Sequence, residues 1–156
     1  MKYKCENELN TLSFKDFTIL EIKYENDKFT LMTNGAVAKY DNSCNETLEE
    51  RYISETTLTF VDAKITKFIL EGGKYYTADD VLIKEVPDTE VNPAEYNDLF
   101  KKFLENEGTV FFVGEKSGEG HVVEIAIDVV NDTYWITVEA SKIIAGFDRF
   151  MNRVMN

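Results

Sequence analysis

Residues 124–140 read Glu-Ile-Ala-Ile-Asp-Val-Val-Asn-Asp-Thr-Tyr-Trp-Ile-Thr-Val-Glu-Ala. Two runs of alternating apolar residues flank Asn131-Asp132, a dipeptide of the kind that closes a two-residue hairpin. With that turn, Val129 faces Tyr134, Ile127 faces Ile136 and Ile125 faces Val138, all on one side of the ribbon. The other side pairs Asp128 with Trp135, Ala126 with Thr137 and Glu124 with Glu139. A ribbon that is apolar on one side only is an antiparallel pair with one buried face.

A second hairpin is equally plain near the N-terminus. Asn26-Asp27 supplies the turn, and the flanking strands set Tyr24 opposite Phe29, Ile22 opposite Leu31 and Leu20 opposite Thr33. Residues 40–51 are polar and read as a loop. Further strands are expected over 56–61, over 65–70 before Gly72-Gly73, and over 81–86 before Pro87. A helix is expected over 93–106. Asn92 suits its N-cap, Pro93 its first position and Gly108 its stop, and Tyr96, Leu99, Phe100, Phe103 and Leu104 form an apolar stripe. From Ser141 the period changes: Ile143, Phe147, Phe150 and Val154, with Ile144 and Met151 beside them, predict a C-terminal helix over 141–154. Gly146 weakens that helix by about 1 kcal/mol relative to Ala. Consecutive hairpins without strand–helix alternation imply an α+β fold, with an antiparallel, hairpin-rich twisted sheet and these two helices. Curling of the sheet toward a barrel is an allowed variant. No linker or repeat interrupts the 156 residues, so one globular domain over 1–156 is expected.

The chain carries 17 Lys and Arg against 29 Asp and Glu, for a net charge of −12. A chain so charged repels phosphate backbones, so nucleic acid is not an expected partner. Its 13% aromatic content separates it from disordered acidic chains. The charge is uneven: residues 79–132 hold 14 acidic and 4 basic groups, net −10. Such a segment serves solubility, or it steers a basic partner. No apolar run reaches the ~20 residues of a membrane helix. The N-terminal MKYKCENELN has no signal-like apolar run. A cytoplasmic protein with reduced Cys5 and Cys44 is therefore expected, although one disulfide between them is conceivable.

Catalytic and metal motifs are not found. His121 is the single histidine, which excludes a His-cluster zinc site, and no nucleophile elbow accompanies it. The loop GEKSGEG at 114–120 lacks phosphate-loop spacing and contains two glutamates. Asp41, Ser43 and Asn45 begin like a calcium loop, but Glu46 stands where glycine is needed and Tyr52 where glutamate is needed. No catalytic residue, metal ligand or cofactor is assigned. The one group of residues that suggests binding is Glu124, Asp128, Trp135 and Glu139. The hairpin register puts all four on its non-core side. Either a helix packs over Trp135, or the ring is an exposed interface anchor among carboxylates.

Residues 12–70 carry a further pattern. It comprises Leu12-Ser13-Phe14-Lys15-Asp16, then Ile19 and Ile22, then Phe29-Thr30-Leu31-Met32, and Thr57-Leu58-Thr59-Phe60 with a turn after it. The pattern resembles small bacterial immunity-like proteins of polymorphic toxin systems. Typical members have Phe-His-Asp where this chain has Phe14-Lys15-Asp16. The resemblance implies a small, β-rich cytosolic protein that binds rather than catalyses.

Taken together, these features lead to the expectation of a non-enzymatic acidic protein-binding module, an immunity-like inhibitor of a basic toxin. The alternative is a small-ligand binder or enzyme with a carboxylate-lined cleft, to which Tyr75-Tyr76 would contribute. A self-assembling scaffold is the third reading, and no feature fixes an oligomeric state.

Overall fold

Alternating apolar residues dominate the chain, and the computed structural model, which describes residues 1–155, is accordingly mostly antiparallel sheet. The first strands are β1 (Tyr3–Glu6), β2 (Leu12–Ser13), β3 (Phe17–Glu25), β4 (Lys28–Thr33), β5 (Ala36–Ala38), β6 (Arg51–Ile53), β7 (Thr56–Val61) and β8 (Lys64–Leu70). There follow β9 (Gly73–Tyr76), β10 (Leu82–Val86), β11 (Thr89–Glu90) and the helix α1 (Tyr96–Glu105). The chain continues through β12 (Thr109–Lys116), β13 (His121–Val129), β14 (Asp132–Ala140), β15 (Lys142–Phe147) and β16 (Phe150–Arg153). The fold is α+β and strongly sheet-rich.

The main sheet has the order β1-β15-β7-β4-β3-β12-β13-β14-β8-β11. Its two halves meet at β3 and β12 through only Phe17–Val110 and Thr18–Thr109. They are also joined where β7 runs into β8 and β14 into β15. Val61 pairs with Lys142 before that corner and Lys64 with Glu139 after it, so both strands bend together. The sheet thereby folds over on itself, but β1 and β11 remain unjoined edges and no barrel closes.

Helix α1 packs in the fold between the halves. Phe100 lies 6.2 Å from Phe29 of one half and 6.0 Å from Phe68 of the other, and Phe103 lies 5.0 Å from Tyr134. The Asn92 side chain caps the entry, accepting from the Ala94 N–H at 2.9 Å. At the exit the Gly108 N–H donates to the Phe103 carbonyl at 2.8 Å. The left-handed residue there is Glu107 (φ 52°), one position before the glycine expected to end the helix.

The expected C-terminal helix is not formed. Residues 142–147 and 150–153 are strands β15 and β16. Ile143, Ala145 and Phe147 are 2%, 4% and 0% exposed, a period of two that the sequence carries beside its period of 3.6. Strands β1 and β7 hydrogen-bond β15 on both sides, which no isolated helix could match, and the β-branched pair Ile143-Ile144 suits a strand. β16 joins a second sheet, β16-β6-β5-β2, closed over by Tyr3, Phe147 and Phe150.

Both hairpins form, with shifts of register. Asn26 and Asp27 have φ of 53° and 59°, as the primed turn requires, and Tyr24–Phe29 and Ile22–Leu31 are paired. A bulge then sets Ile19, not Leu20, opposite Thr33 and leaves Leu20 43% exposed. In the last hairpin the loop is Val130-Asn131 instead of Asn131-Asp132. Ile127 faces Tyr134, Ile125 faces Ile136, and Val123 faces Val138. A shift of two residues preserves both faces and changes every partner. It brings Val123 into the core, and it sets Asp128 opposite Thr133, whose hydroxyl donates to the carboxylate at 2.8 Å. It also separates Glu124 from Glu139, which the expected register placed in direct repulsion.

Candidate functional site

Tyr134, Ile136 and Val138 are 4%, 0% and 0% exposed, so the same strand turns Thr133, Trp135, Thr137 and Glu139 to the outer side. Cross-strand pairing extends that side into rows. One row runs Phe112, Ala126, Trp135, Ile69 and Glu90 across β12, β13, β14, β8 and β11. The next runs Gly114, Glu124, Thr137 and Lys67. A third holds Val122, Glu139 and Lys64.

The first row is aromatic at its centre. Trp135 lies 5.9 Å from Phe111, edge to face, and 6.1 Å from Phe112. Two consecutive phenylalanines reach one ring because a β-bulge interrupts the β12–β13 pairing between Val110 and Phe112. Ala126, between Phe112 and Trp135, is fully buried yet stands outside the main core cluster. Its short side chain lets the neighbouring rings close above it. Phe112 remains 42% exposed and Trp135 half-buried. Helix α1 packs against the opposite side, on Tyr134 and Phe68, and among the described residues no terminal helix covers Trp135. No helix packs over the ring, but Phe111 and Phe112 beside it leave it only partly exposed.

The rim of this cluster is polar. The Trp135 indole N–H donates to Glu71 at 3.2 Å, and Asp88, just beyond, accepts from the Gly72 N–H at 2.8 Å. Glu71, Asp88, Glu124, Trp135, Ile69, Thr137 and Lys67 line an open groove of about 300 Å³. Glu124 is paired with Lys116 at 2.7 Å, which offsets part of its charge.

Three of the four residues singled out from the sequence, Glu124, Asp128 and Trp135, thus share one region of this face. Glu139 lies two rows away and lines a separate open groove with Asp62, Lys64, Glu119 and His121. There His121 Nδ1 contacts the Glu115 carboxylate, which fixes the ring's orientation. Among the described residues no serine or cysteine hydrogen-bonds to His121, and no three His, Cys, Asp or Glu side chains gather as metal ligands do. Burial pushes the Cys5 thiol above its ordinary pKa, and both Cys5 and Cys44 are free thiols. Among the same residues no helix is long and apolar enough to cross a membrane.

The charge map also differs from its sequence form. Asp98 and Glu105 belong to α1, and Asp79, Asp80 and Glu85 to the β9–β10 hairpin region. The acidic segment is therefore divided between several surfaces. Lys64 and Lys67, from the less acidic first half of the chain, enter the face through β8. Sequence reading missed Phe111, Phe112, Ile69 and Glu71 as members of the site. The apolar run 110–113 carried the only signal for the two phenylalanines, and it does not alternate. No protein-family model, curated protein or solved structure matches the chain.

Proposed function

We propose that the chain is a non-enzymatic protein-binding module that receives a basic protein on the Trp135 face. The observation that carries this reading is the uncovered Trp135–Phe111–Phe112 cluster at the centre of a carboxylate-rimmed sheet face. Aromatic anchors ringed by polar groups are the usual centre of a protein interface, and they are not what solubility alone requires. The carboxylates of Glu71, Asp88, Glu90 and Asp128 select a partner rich in Lys and Arg and speed its approach. The likeness of residues 12–70 to immunity-like proteins gives the reading its specific form, an inhibitor of a basic toxin. Two free thiols fit a reducing cytoplasm as the place of encounter.

The test is affinity purification of the tagged chain from its native host at about 50 mM and about 500 mM salt, beside a Trp135→Ser variant checked for folding by circular dichroism. A basic protein retained at low salt, released at high salt and lost with the variant supports the reading. Equal recovery on the folded variant, or recovery of no basic protein, refutes it.

A further inference from the structure

Among the described residues the hairpin formed by β9 and β10 pairs only with itself, and every residue from Lys74 to Glu90 is exposed. It is nevertheless apolar. Tyr75, Tyr76, Leu82 and Ile83 are 54%, 53%, 47% and 65% exposed. Tyr76 pairs with Leu82 on one side of the ribbon, and Tyr75 lies with Val86 on the other. A lone two-stranded ribbon is marginal in water, and one that shows large apolar side chains on both sides lacks a covering surface.

Its placement is specific. The ribbon rises from the rim of the Trp135 groove, because Glu71 and Asp88 at its base line that groove. A Cβ on Gly72 would lie 1.9 Å from the Val86 carbonyl oxygen, so glycine permits the close crossing at which the ribbon leaves the sheet.

We propose that the 73–86 hairpin is a docking arm that enters an apolar-walled, basic cleft on the protein bound by the Trp135 face. This rests on the reading of that face as a protein-binding surface. Charge decides the occupant. Residues 71–90 hold six acidic and two basic groups, with Asp79-Asp80 at the tip. A second copy, itself carrying −12, is repelled, and Lys74 and Lys84 within the two strands oppose strand-to-strand addition. An anionic membrane surface repels the same tip. A cleft, unlike a flat surface, covers both apolar sides of the ribbon at once.

The test places the photo-crosslinker p-benzoylphenylalanine at Leu82, at Phe112 or at the exposed control Leu48, in the native host, and identifies the adducts by mass spectrometry. One and the same Lys- and Arg-rich protein is expected from Leu82 and Phe112 and not from Leu48. A Tyr76→Ser/Leu82→Ser variant is expected to lower the Phe112 adduct about tenfold. A Phe112 adduct without one at Leu82, or a Leu82 adduct to a second copy, to lipid or to an acidic protein, overturns the arm and spares the module. A basic adduct at Leu82 alone overturns the Trp135 face, and with it the arm as a second contact to the protein on that face. No adduct from either position overturns both.

Discussion

Tyr134 and Trp135 are neighbours on one strand, and truncating Tyr134 is expected to cost more stability than truncating Trp135. Tyr134 is 4% exposed, with its ring 5.0 Å from Phe103 and 6.1 Å from Phe68. The Lys102 ammonium lies 5.8 Å from the ring centroid. Tyr134→Ala removes these contacts and leaves a cavity among rings that cannot collapse, a loss of about 3–5 kcal/mol. Trp135 touches Phe111 and Phe112 on a face open to water, and these rings can settle toward Ala126 once it is gone. Aromatic pairs contribute about 0.5–1.5 kcal/mol each, so the two pairs lost with Trp135→Ala are worth about 1–3 kcal/mol beyond the area the part-buried ring covers. For a chain of this length the Tyr134 loss and the Trp135 pair loss correspond to roughly 6–20 °C and 2–12 °C in Tm. Trp135 is the single tryptophan, so the assay is urea titration followed by far-ultraviolet circular dichroism, which both variants retain. Equal destabilisation by the two substitutions would mean that Trp135 is a core residue, and the binding reading would fail with it.

Two backbone predictions follow from left-handed residues that are not glycine. Val130 has φ 57° and is 73% exposed, so Val130→Gly relieves a conformation costing about 1–2 kcal/mol in a side-chain-bearing residue and forfeits little burial. After the entropy that glycine gains in the unfolded chain, a rise of about 0.5–1 kcal/mol is expected in the urea midpoint analysis; a loss would contradict the turn assignment. Glu107 has φ 52° at the end of α1, where its carboxylate also faces the negative end of the helix dipole. Glu107→Gly is expected to stabilise by about 1 kcal/mol by the same measurement, and a destabilised variant would show that the helix ends elsewhere.

The faces of the hairpins were legible in the sequence and their partners were not. Alternation at 123–129 and 134–138 survives a slip of two residues, so Trp135 falls outward under either loop while Glu124 changes its neighbour from Glu139 to Thr137. Bulges obey no local pattern: Leu20 and Phe111 are each displaced by a register shift within an ordinary hairpin, β3–β4 and β12–β13. The helix at α1 was readable because its cap, its proline and its stripe agree. The segment 142–147 satisfied two periods at once, and tertiary pairing with β1 and β7 chose the strand. The lysines at 64 and 67 reach the carboxylate face through pairing of β8 with β14, a contact between residues some 70 positions apart that no segment count anticipates. The strand at 81–86 was expected, but its isolation from the body is a property of the bend at Gly72.

The most direct test of the central claim, an uncovered and negatively charged Trp135 face, is charge-selective quenching of the single tryptophan. Its fluorescence is titrated with caesium and with iodide at about 0.1 M ionic strength, each normalised to free N-acetyltryptophanamide. Glu71, Asp88, Glu90, Glu124 and Asp128 outnumber Lys67 and Lys116 around the ring, and a local potential of about one kT predicts caesium favoured over iodide by roughly sevenfold. Equal quenching, a preference for iodide, or protection from both ions would contradict the account.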